Sequence, residues 1–205
     1  MPRAFREDEK QRIRHQLREV GLNHFSRVGV RAARVEDICR ETGIAKGSFY
    51  AFFASKEDLF MAIADRQDLK QKSDTRAYLE RRAGGASETL KGFFDFTMER
   101  VESDPVLRIV QDTGEMAHVL RKVSPPMVEN NLRRDRAFLI EIAFILKDRF
   151  GLTHATAETL EALMSLMLAL GLQRDVVEAA GSYANTVALL RGLFVSRLLK
   201  GADDD

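Results

Sequence analysis

Apolar residues recur along this 205-residue chain at the three- and four-residue spacing of helices. No useful stretch shows the period-two alternation of a half-buried strand, so the pattern predicts an all-α protein. Ile13, Leu17, Val20 and Phe25 fall near one face of a first helix over about 7–28. Gly29 is placed to stop it in the left-handed conformation that glycine tolerates. Residues 30–34, VRAAR, read as a short basic connection. Val35, Ile38 and Cys39 then share the inner face of a second helix over about 35–42. Glu36 and Asp37 stand in its first turn, where the helix dipole favours negative charge. Gly43 makes a turn with Ile44 tucked inward. A third helix is expected over about 45–53, with Ala45, Phe49 and Phe52 on one face and Lys46, Gly47, Tyr50 and Ala51 on the other. Ser48 lies on its flank. Ser55 followed by Asp58 is a variant capping box, opening a fourth helix that runs to about Arg82 before Gly84-Gly85.

Beyond residue 86 the pattern is one of longer amphipathic helices, expected over about 87–103, 105–122, 127–150, 155–171 and 182–200, with a turn-like piece at 175–180. Asp104-Pro105, Pro125-Pro126 and Gly151 mark the breaks. The acidic tail, Asp203 to Asp205, reads as frayed. No internal repeat or other low-complexity tract occurs.

Helix, short helix, glycine turn and short helix form the helix-turn-helix arrangement. By spacing alone the same residues suit an ordinary three-helix bundle. The outer face of the third helix carries the sharper hint. Gly47 and Ala51 allow close backbone approach, Lys46 offers charge to a phosphate or a guanine edge, and Tyr50 can donate its hydroxyl to a phosphate. A helix of about eight residues does not stand alone in water, so a scaffold must hold it out. Net charge of +1 says little, but its distribution is uneven. Through residue 72 there are 15 Lys/Arg against 11 Asp/Glu, and the remainder is acidic by about three charges. A basic front end suits an anionic partner; it also suits a solvated arginine-rich helix surface.

The run VEDICRETGIAKGSFYAFFASKEDLF, with Phe25 and Gly29 before it, resembles the N-terminal DNA-binding domain of the TetR family of transcriptional regulators. The resemblance covers about residues 7–67 and rests on the Lys46-Gly47-Ser48-Phe49-Tyr50 and Ser55-Lys56-Glu57-Asp58-Leu59 runs at their interval. It implies that Lys46, Gly47, Ser48 and Tyr50 face DNA, that Lys56 binds a phosphate at the head of the fourth helix, and that Phe49 is core. Phe52 is inward by periodicity but stands where family members often place a DNA contact. The chain departs from the family at Ala33-Arg34, where paired threonines commonly cap the second helix. The missing hydroxyl costs about 0.5–2 kcal/mol of local stability. Arg34 can replace the phosphate contact with a longer reach, or serve as a solvated loop charge.

The resemblance also implies that residues 68–205 form a larger helical domain for effector binding and dimerisation. The last two long helices, 155–171 and 182–200, would then join two subunits through Leu163, Met167, Leu190 and Phe194. LEALMSLMLALGL is apolar nearly all round, which requires burial on more than one side, in a dimer or a monomer core. Soft Met and Phe side chains suit a pocket for a hydrophobic effector, with Phe93, Met98, Met116, His118, Phe138 and Met164 as candidates, and equally suit plain core. Glu115, His118 and Arg121, on neighbouring turns, could read a polar group.

The lone cysteine, Cys39, leaves no internal disulfide and no Cys-based zinc cage, and reads as a small core residue. His15, His24, His118 and His154 are scattered and read as surface or capping residues. No metal-ligand spacing, phosphate loop or nucleophile–base pair is present, so no cofactor and no enzyme activity are expected. There is no signal peptide, and the longest apolar run, Ala162 to Leu172, is about half of what spans a bilayer, so a cytoplasmic protein is expected. The reading is a homodimeric repressor on a palindromic operator of double-stranded DNA, released by a small hydrophobic effector. One rival keeps the DNA-binding head on a body that only dimerises or docks a protein. The other is a helical enzyme with an incidental helix-turn-helix.

Overall fold

The all-α expectation holds in the computed structural model, which describes residues 6–123 and 125–200, with 125–127 by backbone alone. The tail at 203–205 lies outside the described residues. Eleven helices and no strand occur among the described residues: α1 (Glu7–Ala32), α2 (Val35–Thr42), α3 (Lys46–Phe49), α4 (Lys56–Arg81), α5 (Ala86–Ser103), α6 (Pro105–Gln111), α7 (Thr113–Leu120), α8 (Pro125–Phe150), α9 (Ala157–Leu172), α10 (Arg174–Ala179) and α11 (Tyr183–Lys200). None is long and apolar enough to cross a membrane.

The chain divides into two compact units, Met1–Lys70 with Pro105–Met127, and Gln71–Asp104 with Val128–Asp205. The units interleave along the sequence, whereas the sequence-based division is a single cut near residue 67. In the first unit α6 and α7 pack on α1. They add Val106, Ile109 and Val119 to a core built from Leu17, Phe25, Ile38, Phe49, Leu59 and Phe60. Phe25 meets Phe60 edge-on at 5.9 Å. Burying each such side chain stabilises the fold by roughly 1.5–3 kcal/mol. Cys39 is part of this core, and burial pushes its thiol pKa up.

In the second unit α5, α9 and α11 pack on one another. Phe93, Phe94, Leu90, Ile142, Leu163, Met167, Phe194 and Leu198 fill the core between the helices, joined by Leu79 of α4. The Phe194 ring stands edge-on to both Phe93 at 5.9 Å and Phe94 at 5.6 Å. Phe96 lies outside that core. It stacks on Tyr78 at 4.4 Å, and the pair is covered at its ends by the guanidinium groups of Arg100 and Arg82. This four-layer stack fastens the second half of α4 to α5.

Three helix boundaries differ from the sequence expectation for local reasons. Gly29 interrupts the helix at φ 78°, ψ 165°, a glycine-only region, and the chain then makes one further turn to Ala32. The helix expected over 105–122 is two. Asp112 accepts the N–H groups of Gly114 and Glu115, both at 2.9 Å, and so caps a new start at Thr113. The helix expected from 127 begins at Pro125, since the first helical turn does not need its N–H groups.

Candidate nucleic-acid interface

The turn between α2 and α3 is built by local chemistry. Gly43 sits at φ 75°, ψ 25°, its N–H bonds to Arg40 O, and the Ile44 N–H bonds to Cys39 O at 3.0 Å. This is the Schellman termination, and Ile44 packs against the core as the motif requires. His24 reaches from α1 to Glu41 at the end of α2, with 2.9 Å between Nε2 and Oε2.

The third helix is shorter than expected. Only Lys46–Phe49 is α-helical, and the chain tightens into three-residue turns, with Ala51 N–H on Ser48 O and Phe52 N–H on Phe49 O. Ala45 offers no capping side chain and Gly47 weakens the helix, so packing alone holds the segment. Phe49 is fully buried and Phe53 nearly so, and their rings lie 6.1 Å apart. Phe52 is half-buried against the same core, with the Arg14 guanidinium 5.7 Å from its ring. Ala45, expected inside, is exposed.

The outward residues come together as the sequence suggests. Lys46 and Gly47 are exposed and Ser48 is half-buried. Tyr50 is 52% exposed, its ring propped edge-on against Phe49 at 5.4 Å. Nothing lies within 4 Å of where a Cβ on Gly47 would be, so the fold itself does not require glycine there. Arg34 is exposed at the N-cap of α2 and makes no capping bond.

Two candidate cations already have partners. Lys46 donates to Glu36 Oε1 at 2.5 Å, which raises the lysine pKa and lowers that of the carboxylate. Lys56 donates to Arg31 O at 2.6 Å and Ala33 O at 2.9 Å, so it secures the bend before α2. An ammonium has a third N–H, so these bonds leave a donor for a phosphate. Ser55 Oγ caps α4 by accepting the Asp58 N–H at 3.0 Å; the Asp58 carboxylate takes the Ala54 N–H at 3.2 Å, one residue earlier than a capping box uses.

Sequence reasoning missed Glu36 as the partner of Lys46, although a first-turn carboxylate beside a basic face was visible. It also missed a basic cluster of Arg14, Arg18 and Arg66. Burial, then the charges of Arg66 and Arg14, push the Arg18 pKa down, and the Arg18 guanidinium lies 6.0 Å from the Phe53 ring.

The candidates placed beyond residue 90 fall in both units. Phe93 and Met98 are in the second unit's core, and Phe138 and Met164 pack partly buried against it. Phe138 lies under the Lys72 ammonium and the Arg76 guanidinium, themselves bonded to Asp135 and Glu141. Met116 and His118 belong to the first unit, and His118 meets Glu57 at 2.7 Å. Leu163, Met167 and Phe194, expected between subunits, are turned into the core of their own unit because α5, α9 and α11 pack on one another there. Leu190 is half-buried, while Leu166, Leu189 and Leu193 are the exposed leucines of α9 and α11, with Leu172 and Leu199 at the helix ends.

Residues 17–63 match the model of a family described as bacterial regulatory proteins, tetR family. Over those residues the chain is similar to the DNA-binding domain of that family. The match spans α1 from Leu17, α2, the glycine turn, α3 and the start of α4, and so takes in Arg34, Lys46, Gly47, Ser48, Tyr50 and Lys56. No curated protein matches the chain. Among solved structures the fold is shared with reduced E. coli NemR (TM-score 0.66, 17% identity, 89% of this chain and 97% of that one). It is shared with the fatty acid degradation regulator FadR of Bacillus halodurans (0.61, 16%, 91% and 96%). It is shared also with Bacillus subtilis FadR in complex with stearoyl-CoA (0.53, 15%, 92% and 98%).

Proposed function

We propose that this protein binds a palindromic operator in double-stranded DNA as a homodimer, represses transcription there, and is released by a small hydrophobic effector. The observation that carries the DNA-binding part is the exposed Lys46–Gly47–Tyr50 face on a turn anchored by buried Phe49 and Phe53. Ser48 sits on the flank of that face, and Arg34 and Lys56 stand at the starts of α2 and α4, where backbone phosphates pass a helix-turn-helix. Two subunits would set two such faces about 34–36 Å apart, one helical turn of DNA.

Exposed Leu189 (69%) and Leu193 (48%) on α11, with Leu166 on α9, support a dimer through these helices. In this reading Leu163, Met167 and Phe194 shape the interface from beneath. The effector part is supported by the fold shared with a protein solved with stearoyl-CoA. The rival reading, a body that only dimerises or docks a protein, is favoured at Phe93 and Phe94, whose space is taken by Phe194.

Fluorescence anisotropy with duplexes from the DNA flanking the coding sequence tests the proposal. Tight binding to one palindromic duplex, and weak binding to a shuffled duplex of the same composition at matched salt, is the expected result. Equal affinity for both would refute an operator-specific regulator. A thermal-shift screen of hydrophobic small molecules tests the effector part.

A further inference from the structure

The bend that leads into α2 is held from outside the segment that forms it. At Gly29 the chain leaves the helix, and at Ala33-Arg34 it enters α2 with no side-chain cap. Its groups are taken instead by two distant side chains. The Arg31 N–H donates to Glu115 Oε2 of α7 at 2.9 Å. The carbonyls of Arg31 and Ala33 accept from Lys56 of α4 at 2.6 and 2.9 Å. The Glu115 carboxylate also lies flat against Gly29: a Cβ there would come within 2.7 Å of Oε1. The next turn of α7 places His118 Nε2 2.7 Å from Glu57 Oε1, adjacent to Lys56. Asp112 fixes the start of α7 by capping Gly114 and Glu115 themselves. One short helix therefore grips both the entry to α2 and the first turn of α4.

We infer that Glu115, seconded by His118, is a positioning residue for DNA binding, supplying from α7 the restraint that a hydroxyl cap would supply locally at Ala33-Arg34. The inference rests on the DNA-binding reading above. The physical reason is that Arg34 sits at the exit of the bend and Lys56 beside it, so the placement of both cations depends on the Gly29–Ala33 backbone. A hydrogen bond to a carboxylate is worth more than a neutral one, and its loss loosens a segment whose own helical bonding is a single turn, closed by the Ala33 N–H on Gly29 O at 3.2 Å. Anything that shifts α7 by a fraction of a turn would then loosen the grip on DNA without touching a DNA-facing residue.

The test compares wild type, Glu115→Ala, Glu115→Gln and His118→Ala for binding to the duplex that wild type prefers, together with amide hydrogen exchange. Glu115→Ala is expected to weaken binding about tenfold, the scale of one charge-assisted hydrogen bond, and to speed exchange at the Arg31 amide while the Ile38 amide stays protected. Glu115→Gln keeps an accepting oxygen and is expected to restore most of the affinity. His118→Ala is expected to weaken binding by a smaller factor in the same direction. Wild-type affinity in Glu115→Ala, or an unchanged Arg31 exchange rate, overturns the inference while leaving the DNA-binding reading intact. No specific binding by wild type overturns both. Should Glu115→Ala not fold, Glu115→Asp, which is too short to reach Arg31 from the same backbone, is read in its place with the same expectations.

Discussion

The Lys46 ammonium lies 2.5 Å from Glu36 Oε1, linking the first turn of α3 to the first turn of α2. Both groups are exposed, so the bond competes with water and salt and adds little to stability. Its consequence is for binding. A phosphate or base edge must displace Glu36 or share Lys46 with it. Glu36→Gln is therefore expected to raise affinity for any duplex several-fold and to narrow the gap between operator and shuffled DNA. Affinity measured over a salt series on both duplexes checks this; an unchanged ratio with unchanged affinity would remove Glu36 from the account.

The Glu57–His118 bond predicts a pH dependence. Burial disfavours the charged form of Glu57, but its own backbone N–H, the His118 ring and the charge of Lys56 outweigh that and hold its pKa below the usual value. A depressed folded-state value means that the contribution is present above the unfolded carboxylate value of about 4.3 and is lost as pH falls through the lower folded value. Glu57→Gln should be less stable at neutral pH and show a flatter acid limb. Urea unfolding from neutral pH downwards measures both; parallel curves for wild type and variant would contradict it.

A second titration acts at the alkaline end. Tyr183 donates to Glu102 Oε1 at 2.5 Å, and burial, then that bond and the carboxylate charge, push its pKa up to about 12. The folded state therefore holds the phenol proton that the unfolded chain gives up near its ordinary value of about 10. Stability is full below that value and declines as pH rises from there towards the folded-state value. Tyr183→Phe should lose this decline, as read by chemical unfolding across that window, with phenolate absorbance reporting the wild-type titration.

Much of this architecture was legible in the residues. Gly29, Gly43, Ser55 and Pro105 are local signals, and each marks a helix boundary or interruption within a residue of its position. The Asp112 break had a readable signal as well, an aspartate three residues before Glu115, but the apolar pattern across 105–122 masked it. The length of α3 was not legible, because inward packing of Phe49, Phe52 and Phe53 sets that segment's shape more than helix propensity does. The roles of Lys56 and Glu115 depend on which backbone groups come near them in the fold, and side-chain chemistry alone does not encode that. Leu163 and Phe194 were expected between subunits and instead face the core of their own unit, a choice that periodicity does not make because both helices are apolar over most of their circumference.

That last point separates two kinds of variant. Phe194→Ala removes a fully buried ring and should cost about 3–5 kcal/mol of stability. Leu189→Glu changes an exposed face and should leave the subunit folded but dissociated. Sedimentation with circular dichroism distinguishes them, and a dimer that persists in Leu189→Glu would move the proposed interface away from this face of α11.

The central claim is that the Lys46–Gly47–Tyr50 face reads DNA, and Tyr50→Ala tests it most directly. Tyr50 is half exposed and its ring leans on Phe49, so its loss leaves the buried anchors in place. Anisotropy titration of wild type and Tyr50→Ala against the preferred duplex at matched salt should show binding weakened roughly tenfold, within the 1–3 kcal/mol of one good contact, with the same oligomer and the same melting profile. Equal affinity in the two proteins, both folded, would contradict the account.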